Sequence, residues 1–306
     1  MKIAVVGAGA MGSLFGALLT EAGLDVWLLD VWEDHISTMK QKGLSVKRQG
    51  QTRVVKVNAT TVPSQIGRVD LVIVFVKSYH TASAAKTAHE LAGSRGVVLT
   101  LQNGMGNTDA LAHVIEPHRI IAGTTSHGAT LIGPGSILHA GIGPTTIGMW
   151  ADSDQTPANK IAEIFKKAGI DTEVVKDVRS VLWNKLLINI GINAITALTG
   201  IKNGQILDLD VTKELCRRAV EEGMAVAQAQ GIKVRDDMVE QVFRVAEATA
   251  SNRSSMGQDV DRKRQTEIQA INGFVVKEAE KLGINTPINY SLTALVETLQ
   301  SHYSAT

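Results

Sequence analysis

Short apolar runs alternate with helix-length amphipathic segments through the first half of the chain, whereas the second half carries helical periodicity almost alone. After an opening strand at 3–6 and a second at 25–30, strand-like runs recur at 69–76, 96–101, 119–122, 145–148 and 172–175. Alternation of this kind predicts a largely parallel sheet covered by helices. Beyond Lys176 the periodicity predicts helices over 178–198, 211–230, 235–250, 260–282 and 288–301, with Gly231 and Gly283 standing where C-terminal caps belong. The expected architecture is α/β, with a Rossmann-type dinucleotide-binding domain at 1–176 followed by an all-helical domain at 177–306. Residues 152–157 form a turn before a helix that still belongs to the first domain. No internal repeat or low-complexity segment interrupts the pattern.

The first strand runs directly into Gly7-Ala8-Gly9-Ala10-Met11-Gly12, the spacing G-x-G-x-x-G at a strand-to-helix junction. Gly7 is suited to the tight turn, Gly9 to close approach of the backbone to a pyrophosphate, and Gly12 to helix-on-strand packing. The N-terminus of the following helix offers N–H donors to phosphates. Asp30 closes the second strand at the distance where a ribose-binding carboxylate is expected, which turns a weak motif into a coherent one. The segment 3–19 is apolar or small throughout, but its four glycines and the strand it encodes argue against a secretory signal.

Composition leaves this picture intact. With 31 basic and 30 acidic residues among 306, and no long basic run, the chain lacks the electrostatic footprint of a nucleic-acid binder. No other window reaches the ~20 apolar residues needed to span a bilayer, so a cytoplasmic protein without a membrane partner is expected. The single cysteine, Cys216, excludes an internal disulfide, and its helical setting predicts a buried structural thiol. The eight histidines show no metal-ligand spacing, and no metal is expected. The helical domain's length and apolar content are compatible with a homodimer and equally with a large monomeric core.

Polar chemistry concentrates in 182–193, an apolar helix on which Lys185, Asn189 and Asn193 recur at i, i+4 and i+8 and so form one stripe. Buried amides and ammonium groups need partners. Two readings stand: a ligand completes the stripe, or Lys185 reaches solvent while the asparagines bond neighbouring helices. A second polar set, 251–256 and 264–274, places Glu267 on what the periodicity predicts to be a helix with an apolar side. Ser254-Ser255 has an alternative as an N-cap pair.

Taken together, Gly7-Ala8-Gly9-Ala10-Met11-Gly12, Val74-Phe75-Val76-Lys77, Gln102-Asn103-Gly104-Met105-Gly106, Gly123-Thr124-Thr125, Trp183-Asn184-Lys185-Leu186-Leu187-Ile188-Asn189, Asn203-Gly204, Ser254-Ser255-Met256 and Thr266-Glu267-Ile268-Gln269-Ala270-Ile271-Asn272-Gly273 resemble the ketopantoate reductase (2-dehydropantoate 2-reductase) family over essentially the whole chain. The resemblance implies a helical domain similar to that of 6-phosphogluconate dehydrogenase. It also implies reduction of ketopantoate to pantoate, in pantothenate and coenzyme A biosynthesis, by hydride transfer from NAD(P)H. Lys185 would be the general acid and Glu267 its partner. Asn189, Asn193 and Asn203 would bind substrate, Asn252 and Ser255 would hold its carboxylate end, and Lys77 and Asn103 would sit where nicotinamide meets substrate. One position departs from the family: many members use NADPH and carry a basic residue near the end of the second strand. Here Asp30, Glu33 and Asp34 stand there with no lysine or arginine before Lys40, which favours NADH. The alternatives are a 2-hydroxy-acid dehydrogenase of broader specificity on branched 2-oxo acids, and a non-catalytic dinucleotide sensor.

Overall fold

The computed structural model describes residues 1–303 and divides the chain into two compact units. One unit comprises 1–102 and 107–178, the other 103–106 and 179–306.

The first unit opens with β1 (Lys2–Val6), α1 (Ala10–Glu21), β2 (Asp25–Leu29) and α2 (Glu33–Lys42). It continues through β3 (Leu44–Arg48), β4 (Gln51–Val55), β5 (Asn58–Thr60), β6 (Leu71–Val74), α3 (Thr81–Ala92), β7 (Val97–Thr100) and α4 (Asn107–Ala112). It ends with β8 (Ile120–Thr125), β9 (Gly128–Gly133), β10 (Ser136–Gly141), β11 (Thr145–Met149), α5 (Thr156–Lys167) and β12 (Thr172–Val174). Eight strands form the main sheet in the order β12-β11-β8-β7-β6-β1-β2-β5. The six strands from β8 to β5 run parallel, and β11 pairs antiparallel with β8. Central strand β6 is apolar along its whole length and buried at every residue, because helices cover both faces of a parallel sheet. The chain passes from β1 to β2 on one side and later reaches β6 on the other. The carboxyl ends of β1 and β6, paired at Val6 and Val74, therefore flank the switch in strand order where such sheets bind ligands.

A second sheet, β4-β3-β10-β9, goes beyond what the hydrophobic pattern predicts. Its strands mix charged and apolar residues, as in Leu44-Ser45-Val46-Lys47-Arg48, and the β3–β4 turn is Gln49-Gly50, both with positive φ. That geometry suits a two-residue hairpin, but Gln-Gly is not among the dipeptides that announce one.

The second unit contains α6 (Val178–Thr199), α7 (Asp210–Ala229), α8 (Met238–Ala248), α9 (Ser255–Asp261), α10 (Asn272–Leu282) and α11 (Pro287–Ser301). Its described residues form no strand outside the helices and short 3₁₀ turns. The core gathers Trp183, Leu186, Leu187 and Ile190 of α6 with Cys216, Val220, Val242, Val275 and Val296. Gly191 lets α7 and α8 approach α6 closely, because a Cβ there would meet Cys216, Val220 and Val242 within 3.0 Å. Contrary to the expectation from apolar run length, α6 is long and apolar enough to cross a membrane, although 67% of its apolar window is buried within the protein. Burial pushes the Cys216 thiol up to about 12, which leaves it protonated and unreactive.

The single helix expected over 260–282 is two helices. α9 closes at Arg262 with Lys263 in the left-handed region at φ 52°, where the Arg264 N–H donates to the Asp259 carbonyl and the Lys263 N–H to that of Val260. This is a Schellman closure with lysine in the glycine position. The exposed run 261–265 offers no apolar face with which to continue a helix. Glu267 accordingly lies before the 3₁₀ turn Ile268–Ala270 rather than within a helix. Replacing Lys263 with glycine relieves left-handed strain in the folded state at some cost in chain entropy. A net gain of about 0.5–1 kcal/mol is expected from the denaturant midpoint, and a loss would refute the cap.

Candidate active site

In the first unit each glycine of the fingerprint meets a different constraint. Gly7 turns at φ 93°, and a Cβ there would meet the Val76 nitrogen at 2.6 Å. A Cβ on Gly12 would strike the Gly7 carbonyl at 2.0 Å, so only glycine lets α1 pack this close to the strand end. Gly9 is different, since a Cβ there would meet nothing within 4 Å. Its absence leaves open backbone just ahead of Ala10, Met11 and Gly12, the first turn of α1, whose N-terminus has no side-chain cap. Open backbone, uncapped N–H groups and a helix dipole fit a pyrophosphate.

Asp30 stands half-buried past the end of β2, with Oδ1 accepting from the Trp32 N–H at 3.0 Å. This bond turns the carboxylate within its own loop. Glu33 and Asp34, exposed in the first turn of α2, add negative charge nearby in sequence.

Lys77 follows β6 in extended backbone at φ −62° and ψ 146°. Buried Gln102 holds this strand end: its Nε2 donates to the Val76 carbonyl at 2.8 Å and to Thr81 Oγ1 at 2.8 Å, while its Oε1 accepts from Thr100 Oγ1 at 2.9 Å. In the sequence Gln102 stands within the motif Gln102-Asn103-Gly104-Met105-Gly106 with no role of its own.

The second unit holds the polar stripe. Lys185, Asn189 and Asn193 project from α6 at successive turns, with Asn193 5% exposed. The Asn189 Nδ2, the Asn193 Nδ2 and the Asn203 Oδ1 are buried without a hydrogen-bond partner. Each such atom costs on the order of 1–3 kcal/mol, which a structural role does not justify but a ligand does. Glu267 is buried, and its charge acts on Lys185. Burial pulls the Lys185 ammonium down to about 8, and Glu267 resists that shift.

The loop 249–255 packs against the far end of the stripe. The Asn203 N–H donates to the Asn252 carbonyl at 3.0 Å, and the Asn203 Nδ2 donates to Thr249 Oγ1 at 2.9 Å. Asn252 and Ser255 are themselves exposed. Ser254 takes the capping role, accepting from the Gly257 N–H at 3.0 Å, and lies 2.7 Å from Thr196 Oγ1, one turn beyond Asn193. Arg253 anchors the loop by donating from Nε and Nη2 to the two carboxylate oxygens of Asp261 and from Nη1 to the Ile201 carbonyl at 3.0 Å. Thr196 and Arg253 escaped the sequence reading because their role is to fix backbone.

Asn103 belongs to this unit as part of the short segment 103–106, although the chain on either side of that segment belongs to the other. The segment is held by the Met105 N–H donating to the Ala270 carbonyl at 2.8 Å, and by Gly104, where a Cβ would meet that carbonyl at 2.5 Å. The residues around Glu267 thus position Asn103. His127 and His139 form a buried pair at 3.3 Å, with burial holding both below the usual imidazole range. Among the described residues no three histidine, cysteine or acidic side chains converge to hold a metal.

The profile described as Ketopantoate reductase PanE/ApbA matches residues 3–152, and that described as Ketopantoate reductase PanE/ApbA C terminal matches 177–300. The chain belongs to the ketopantoate reductase family. The 2-dehydropantoate 2-reductase of Halobacterium salinarum is 38% identical over 98% of this chain and 99% of its own length. That of Archaeoglobus fulgidus is 36% identical over 98% of both. Among solved structures, a ketopantoate reductase family member from Ralstonia eutropha superposes with a TM-score of 0.91 at 34% identity, covering 98% of this chain and 99% of the other. A D-mandelate dehydrogenase bound to NADH and anilino(oxo)acetate superposes with a TM-score of 0.93 at 27% identity, over the whole of both chains. The family is one of NAD(P)-dependent oxidoreductases, and its members act on small 2-oxo acids.

The unpartnered amides carry a stability cost that a nonpolar isostere removes. Asn193→Leu is expected to raise the unliganded chain's stability by about 1 kcal/mol in thermal or denaturant unfolding while weakening 2-oxo acid binding. A destabilised variant would show that the Asn193 amide is structural.

Proposed function

We propose that this chain reduces ketopantoate to pantoate with a nicotinamide dinucleotide as reductant, the step that supplies pantoate for pantothenate synthesis. The observation that carries this reading is Lys185 on one helix stripe with two unpartnered buried amides, supported by buried Glu267 and by full-length relatives named for this reaction. When bound, the dinucleotide supplies the hydride.

Everything else falls to the chain's own groups. Lys185 Nζ polarises the ketone as an ammonium and gives its proton to the developing alkoxide. Glu267 keeps the proton on that amine against the cost of burial. Asn189, Asn193 and Asn203 orient the oxo acid through the buried polar atoms that the protein leaves without partners. Asn252 and Ser255 bind its carboxylate end, and Lys77 and Asn103 align the reacting carbons. The Gly7–Gly12 turn receives the pyrophosphate, and Asp30 accepts from the ribose hydroxyls while repelling a 2′-phosphate, so NADH is the preferred reductant.

The likeness to D-mandelate dehydrogenase favours a second reading, a 2-hydroxy-acid dehydrogenase of broader specificity. A dinucleotide sensor fits less well, because it has no use for a proton donor beside buried amides.

Activity with ketopantoate, ketoisovalerate and ketoisocaproate, each with NADH and NADPH, distinguishes these readings. The highest kcat/KM is expected with ketopantoate and NADH. Preference for another branched acid selects the broader dehydrogenase, preference for NADPH refutes the role of Asp30, and binding without turnover selects the sensor.

Lys185→Ala is expected to lower kcat at least ~100-fold, within the range of general-acid contributions. The general acid must be protonated, so kcat/KM for reduction should be flat below about 8 and fall as pH rises through it. Oxidation of the hydroxy acid needs the neutral amine and should rise over the same interval. A profile without this inflection, or an unchanged kcat in the variant, removes Lys185 from the mechanism.

A further inference from the structure

His35 lies on α2, fully buried, at a position that no sequence motif marks. Its ring nitrogens have distinct partners. The Gly135 N–H donates to Nδ1 at 2.9 Å, so Nδ1 is unprotonated and the hydrogen sits on Nε2. Nε2–H donates to the Ala8 carbonyl at 3.0 Å, and Ser13 Oγ donates to the same carbonyl at 2.7 Å. Burial lowers the His35 pKa below the usual imidazole range, against the opposing influence of Asp30, in keeping with a neutral ring.

What holds the imidazole is the second sheet. Gly135 forms the β9–β10 turn at φ 63°, and its carbonyl accepts from the Ser45 N–H of β3 at 2.8 Å. A Cβ at Gly135 would meet Thr38 of α2 at 2.5 Å, so the turn and helix are in tight contact. Gly135, whose N–H orients His35, is thus held through its carbonyl and confined against α2.

What the imidazole holds is the glycine turn. Ala8 stands between Gly7 and Gly9, and no described peptide is cis. In a trans peptide the carbonyl and the following N–H point in opposite directions. Drawing the Ala8 carbonyl inward onto His35 therefore aims the Gly9 N–H away from the imidazole, and Gly9 itself is uncrowded, with nothing within 4 Å of a Cβ built on it. The same ring stacks on Trp32, with centroids 5.0 Å apart and planes 7° apart, and the Trp32 N–H donates to Asp30. One side chain thus touches both the phosphate-facing turn and the loop of the ribose-facing carboxylate.

We propose that His35 is a positioning residue for the dinucleotide, aiming the Gly9 N–H by holding the Ala8 carbonyl and passing the rigidity of the second sheet to the glycine turn. This rests on the dinucleotide-binding reading of the first unit. Two substitutions separate the ring's functions, because asparagine reproduces the reach of Nδ1 and glutamine that of Nε2. H35N retains a partner for Gly135 and loses the bond to Ala8, whereas H35Q retains the bond to Ala8.

Dissociation constants for NADH and NADPH, measured by calorimetry on the intact chain and both variants, test the proposal together with kcat at saturating cofactor and the unliganded Tm. H35N should weaken binding about tenfold, the scale of one directional hydrogen bond, with kcat within about twofold of the parent. H35Q should stay within about threefold of the parent affinity. Unchanged affinity in H35N, or equal losses in both variants, overturns the proposal. If H35N is too unstable to titrate, Ser13→Ala, which removes the other donor to the same carbonyl, should weaken binding in the same direction, and an unchanged constant again overturns it. Failure of the parent chain to bind either dinucleotide would instead refute the cofactor reading and the positioning role with it.

Discussion

A helix packed on nearly all sides cannot carry polar side chains without a reason, and α6 carries three in line. Trp183, Leu186, Leu187 and Ile190 commit the helix to the interior of its unit, and Gly191 brings two neighbours against its backbone. Nothing in that packing requires an ammonium group and two amides on the remaining face. The same burial that creates the energetic cost also tunes Lys185, bringing its ammonium to about 8 where proton donation near neutral pH is feasible. The face that costs stability is the one that presents Lys185, and the neighbouring loops hold it in place.

A common device fixes those loops in both units: a side chain, or a backbone N–H, grips a carbonyl at the end of a regular element. Gln102 grips Val76 beyond β6, His35 and Ser13 grip Ala8 beyond β1, Arg253 grips Ile201 beyond α6, and the Met105 N–H grips Ala270 before α10. Strand and helix ends expose carbonyls that the regular ladder no longer uses. Fixing them locks the peptide planes beside each candidate ligand-binding residue without placing the gripping group at the ligand.

Much of this was legible in the sequence because the relevant constraints are local. The Gly-rich turn, the alternating apolar runs and the i, i+4, i+8 stripe each follow from spacing along one element. Gly231 marks the end of α7 as expected of a glycine C-cap, with φ 72° and the Ile232 N–H bonded back to Ala227. The end of α9 uses the same hydrogen-bond pattern with Lys263, and no glycine announced it, so Glu267 was placed on a helix that does not exist there. The second sheet escaped for a related reason: β3 pairs with β10, far away in sequence, and such pairing leaves no local period. Ser254 and Ser255 were a pair by composition alone. Only the fold shows that Ser254 caps α9 while Ser255 is exposed.

The allocation of Asn103–Gly106 to the helical unit has a consequence for the wiring of the molecule. The chain passes between units after Gln102, returns after Gly106, and passes again after Val178. Three covalent crossings join the units, so the boundary near Lys176 is not the lone tether it resembles in linear sequence. A fragment beginning at Arg179 would lack the strand of backbone that occupies the Ala270 carbonyl. It would be an incomplete body with a missing piece, and the two units are not interchangeable cassettes to be cut and rejoined at one peptide bond.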